Sequence, residues 1–123
     1  MKQLLTALIL VLALTLSGCG SNKADDTVKK GANDLISVTD DVQKEIEAGN
    51  EAKIKELGPK LEDVWSSFED NVNKDYADYY EKIEESLNPE VAASKANPID
   101  IKVVGKLNES LNKTLKELVQ SIK

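Results

Sequence analysis

The spacing of apolar residues restricts the fold of this chain more than any other feature. Val28, Ala32, Leu35, Thr39, Val42 and Ile46 follow one another at intervals of four and three, the rhythm that aligns side chains on one face of an α-helix. A second series runs through Ile54, Leu57, Leu61, Val64, Trp65, Phe68, Val72, Tyr76, Tyr79, Tyr80, Ile83 and Leu87. It predicts a helix from about Glu51 to Leu87, about 55 Å long if unbroken. Pro59 lacks an N–H and collides with the carbonyl four residues back, so a kink or short break is expected at Gly58-Pro59. The third series, Ile101, Val104, Leu107, Leu111, Leu115, Leu118 and Ile122, gives the last helix. No stretch alternates in the manner of a strand.

The residues between these series read as punctuation. Gly49 suits a left-handed helix end and Asn50 suits an N-cap. Asn88-Pro89-Glu90 and Asn97-Pro98-Ile99-Asp100 each resemble a cap, a first-turn proline and an acidic first turn. Between them lies a short helical piece, Glu90 to Lys95. The expected fold is all-α: an up-down-up antiparallel bundle of three main helices plus a short connecting helix, over residues 27–123.

The first residues carry a different message. Lys2 precedes Leu4–Leu16, an uncharged apolar run that is short for a membrane span but long enough for a signal-peptide core. It ends in Leu16-Ser17-Gly18-Cys19, which resembles the lipobox of bacterial lipoproteins. The resemblance implies a signal peptide over residues 1–18, cleavage before Cys19, and diacylglycerol on its sulfur. Residues 19–26 then form the lipidated cysteine and a flexible tether, and the chain is extracytoplasmic, held to the membrane by its lipid. Cys19 is the sole cysteine, and a free thiol or an intermolecular disulfide is the other use of such a residue.

Charge narrows the function. The formal net charge is −6, with no arginine and no histidine, and loss of Lys2 with the leader makes the remainder more acidic still. Such a surface disfavours nucleic acid. Without histidine, the usual zinc, copper and haem sites lose their best ligand, and Ser-His or Cys-His catalysis is excluded. No phosphate-binding glycine loop is present either, so a non-enzymatic role is expected. Asn108-Glu109-Ser110 and Asn112-Lys113-Thr114 match the glycosylation sequon, but the leader is bacterial and both read as helix-surface residues.

Every aromatic residue lies on the second series: Trp65, Phe68, Tyr76, Tyr79 and Tyr80. Acids are threaded among them. Asp78, Glu81 and Glu85 share a face, with Glu84 beside them, a pattern able to offer carboxylates to a hard cation. The same acids also read as a solvated face balanced by Lys74 and Lys82. Glu69 and Glu84 are about 22 Å apart on an unbroken helix and can share nothing unless the helix breaks. Trp65, Glu69, Tyr76 and Tyr80 form a candidate partner face, with ordinary core packing as the alternative for the aromatics.

From about Gly31 to Leu87 the chain resembles the first helices of imelysin-like proteins, the helical domain of bacterial iron-uptake lipoproteins. It is also similar to the extracellular helical segment fused to some iron permeases. Ala48-Gly49-Asn50 with Ala52-Lys53, Trp65-x-x-Phe68-Glu69 and Tyr80-Glu81-Lys82-Ile83-Glu84 carry the likeness. It implies a binding or accessory module of iron uptake, with iron or another hard cation as ligand and an iron permease or other envelope protein as partner. The Gly-x-His-x-x-Glu metal motif of imelysin-like domains is absent, which leaves oxygen ligands only. The alternative function is a cell-envelope structural or interaction lipoprotein with no metal role.

Overall fold

The computed structural model describes residues 23–123; the expected signal peptide, Cys19 and the residues up to 22 lie outside the described residues. Five α-helices follow in order: α1 (Lys23–Ala48), α2 (Glu51–Ser66), α3 (Glu69–Asp75), α4 (Ala77–Ser94) and α5 (Ile101–Ser121). There is no strand among the described residues, and no helix long and apolar enough to cross a membrane.

Helix α1 begins at Lys23, so the last residues of the expected tether are helical. Asp25 and Asp26 sit in its first turn, where a carboxylate meets the positive end of the helix dipole. The α1–α2 turn matches the sequence expectation. Gly49 takes φ +65° and Asn50 accepts a hydrogen bond from the Lys53 amide.

The second apolar series is where structure and expectation part. Helix α2 passes through exposed Pro59 without ending, because Ile54 on one side and Leu61 and Trp65 on the other are all buried and hold both halves in place. The break comes instead at Ser67–Phe68 and again at Tyr76. Ser66 Oγ donates to the Asp63 carbonyl and Ser67 Oγ to the Val64 carbonyl, competing with the helical ladder. The Ser67 and Phe68 amides then close tight three-residue bonds to Val64 and Trp65. The expected break at Pro89 is also missing. Helix α4 continues to Ser94, carried through the proline by buried Leu87 before it and Val91 and Ser94 after it. Asn88, expected as a cap, instead donates to Glu84 Oε2 at 2.9 Å.

Four long helices and a seven-residue corner therefore replace three helices and a connector. Helix α1 packs on α2 and α5, and α4 packs on the same two. Gly31 meets Phe68, Trp65 bonds Glu84, Ser86 bonds Ser110 and Asn108 bonds Thr39. Along α2 and α4, Gly58 faces Ser94 and Trp65 faces Glu84, and along α1 and α5, Thr39 faces Asn108 and Ile46 faces Gly105, so as one number rises its partner falls and these neighbours run antiparallel. The reason is length. Helix α1 has 26 residues, about 39 Å, too short to cover a rod of about 55 Å. Folding the rod back buries both of its halves. Val28, Leu35, Leu61, Phe68, Val72, Ile83, Leu111 and Leu118 fill the common core, and Asp100 caps α5 by accepting from the Lys102 and Val103 amides.

Candidate functional site: an acidic and aromatic corner

Breaking the second series brings together residues that a straight helix would hold apart. Trp65, at the end of α2, is 2% exposed, and its Nε1 donates to Glu84 Oε1 of α4 at 2.9 Å. Its ring stands edge-on to Phe68, 5.1 Å between centroids, and tilted over Tyr80 at 5.7 Å. Both oxygens of Glu84 are thus engaged, one by the indole and one by Asn88.

Glu69, at the start of α3, faces this group. Partial burial, then the Glu84, Asp70 and Glu62 carboxylates, raise its pKa above the usual 4.5. The Tyr80 hydroxyl is raised as well, first by Glu84 and then by burial and Glu69. The break so creates the Glu69–Glu84 proximity, and the corner carries a concentrated negative potential that attracts cations.

Tyr76 serves a different purpose. Its hydroxyl donates to Asp25 Oδ1 at 2.7 Å, tying the corner to the start of α1. This bond, followed by burial, pushes its pKa up to about 12. The four residues expected on one partner face are accordingly divided: Trp65 lies in the core, Glu69 and Tyr80 are half-buried on the corner, and Tyr76 is a strut.

The acids expected to share a cation are likewise divided. Asp78, Glu81 and Glu85 are exposed, whereas Glu84 is half-buried and bonded inward. No group of three or more acidic side chains converges to hold a metal among the described residues. Asp78 instead lines a shallow cleft of about 280 Å³ with Asp75, Tyr76, Ala77 and Tyr79, and Lys82 Nζ stands 5.6 Å from the Tyr79 ring centre. The surface offers little to an apolar partner: Val103, 45% exposed, is the lone exposed large hydrophobic side chain among the described residues.

Two buried residues with unpaired polar atoms went unread in the sequence. Glu90, expected in the acidic first turn of a short helix, is 0% exposed, with no hydrogen-bond partner for either oxygen. Asn108, expected on the helix surface, is 2% exposed. A signal existed for both. Ile83, Leu87, Glu90 and Ser94 step by four, three and four, as do Val104, Asn108, Leu111 and Leu115, so each polar residue occupies a place in a buried stripe.

No protein-family profile and no solved structure matches the chain. In an alignment that covers 92% of the chain, it is 27% identical to the iron uptake system component EfeM of Bacillus subtilis (strain 168). The chain spans 33% of the length of that relative.

Proposed function

We propose, on the premise of that likeness, that this chain is an extracytoplasmic helical lipoprotein, anchored through lipidated Cys19, that serves iron uptake as a binding or accessory module. The observation that supports it best is the extent of the similarity to an iron uptake component, 92% of the chain. The acidic corner agrees with such a role. Glu62, Glu69, Asp70 and Glu84 gather negative potential at one place, where cations concentrate without a closed coordination shell. With both oxygens of Glu84 already bonded, the corner collects iron weakly or meets a polar partner; it does not act as a catalyst.

The test is genetic and quantitative. Removing the chain from its host should slow growth on limiting iron and lower uptake of radiolabelled ferric citrate. The wild-type chain should restore both, and Cys19→Ala should not, because it is no longer retained at the membrane. Unchanged iron uptake without the chain would leave an envelope interaction protein as the better description. Membrane retention of the Cys19→Ala chain would overturn the anchor.

A further inference from the structure

Helices α1 and α5 flank a half-open cavity of about 240 Å³, lined by Thr39, Asp40 and Gln43 from α1 and Asn108, Glu109 and Asn112 from α5. The hydrogen-bond inventory of this cavity is lopsided. Most of its donors are engaged within the protein, and one N–H stays free on each of the Asn108 and Gln43 amides. Asn108 Nδ2 donates to the Thr39 carbonyl at 2.9 Å. Asn112 Nδ2 donates to Thr39 Oγ1 at 2.8 Å and to Asp40 Oδ1 at 3.1 Å. Thr39 Oγ1 donates to the Ile36 carbonyl and Gln43 Nε2 to Glu47.

What remains is mostly oxygen. Asn108 Oδ1 is buried and has no partner, although buried polar atoms are paired in the great majority of cases. Neither Asp40 nor Glu109 takes part in the ion pairs among the described residues, which are Lys30–Asp34 and Lys53–Glu56. Two carboxylates outside any ion pair and two amide oxygens, those of Asn108 and Gln43, thus line one cavity, and only Asp40 Oδ1 among them accepts a bond there, from Asn112.

We propose that this α1–α5 cavity binds a hard divalent cation of the calcium type, held by Asp40, Glu109 and the amide oxygens of Asn108 and Gln43, with water completing its shell. Hard cations take carboxylate and amide oxygens together, and calcium accepts six to eight of them in irregular geometry, whereas magnesium demands near-ideal octahedra. The cavity has the room for retained water. The absence of sulfur and imidazole from the lining disfavours softer metals. The site is distinct from the acidic corner and stands whether or not the chain serves iron uptake.

The full chain, titrated with calcium chloride alone, should bind one ion with a dissociation constant of ~0.1–1 mM, the range of extracellular sites with few charged ligands, and its melting temperature should rise on saturation. Asp40→Asn and Glu109→Gln together keep the shapes and remove both charges. This double variant should melt at the wild-type temperature without calcium and lose at least ~10-fold in calcium affinity, a factor equal to about 1.4 kcal/mol. Glu81→Gln with Glu85→Gln, on exposed residues of α4, should bind calcium as the wild type does. Equal calcium binding by the Asp40/Glu109 variant and the wild type overturns the assignment. So does the absence of any saturable binding, which would make the cavity a hydrated pocket only.

Discussion

At neutral pH the carboxyl group of Glu90 keeps its proton. Burial alone pushes its pKa from 4.5 up to about 8, since neither oxygen has a partner to stabilise the charge. The unfolded chain ionises Glu90 near 4.5, while the folded chain resists until about 8. The stabilising contribution is therefore complete below the first value and lost as pH rises through the second, at up to about 1.4 kcal/mol per pH unit in between. Glu69, also raised, adds a smaller slope of the same sign. Glu90→Gln should remove the larger share, so urea denaturation at about pH 5 and about pH 9 should show a flatter profile than in the wild type. Parallel profiles would mean that Glu90 is charged and paired in solution. Spacing put Trp65 in one series with Leu61, Phe68 and Val72, and all four are buried. Pattern reading overlooked Glu90 and Asn108 because it counts apolar residues and passes over a polar one holding a buried place.

Element by element, the helical character and the Gly49-Asn50 turn were legible, since both depend on nearby residues. The place where the long series folds back was not. Pro59 and Pro89 are the stronger local breakers, yet tertiary burial on both sides carries α2 and α4 through them, and the chain yields at a Ser-Ser pair that sequence rules rank lower. The glycines of these helices record the resulting packing. A Cβ on Gly58 would collide with the Ser94 side chain of α4, whereas one on Gly105 would meet only Ile46 Cγ2 at 4.0 Å. In a helix interior, glycine to alanine normally stabilises by about 0.5–1 kcal/mol. Gly105→Ala should give that gain, and Gly58→Ala should destabilise instead, with Ser94→Gly in the same chain recovering much of the loss. Denaturation midpoints measure both. A gain at Gly58 would mean that α2 and α4 do not approach as closely as described.

For the described residues as a whole, four antiparallel helices put Lys23 and Lys123 at one end of the bundle. Tyr76, bonded to Asp25, puts the acidic corner at that end too, while the turns at 49–50 and 95–100 lie at the other. With Cys19 lipidated as proposed, only residues 20–22 separate the anchor from α1, a leash of at most about 14 Å. A fluorophore on Lys74→Cys should then be quenched by labelled lipids far more than one on Gly49→Cys, about 39 Å up the bundle. Equal quenching would mean that the bundle lies flat or swings freely. Given the proposed anchor, so short a leash would make the molecule a mast stepped in the membrane, with its negative foot against the headgroups. Between that foot and any anionic lipids would lie a thin layer in which cations gather and exchange, so the position of the corner, as much as its chemistry, would decide what it encounters.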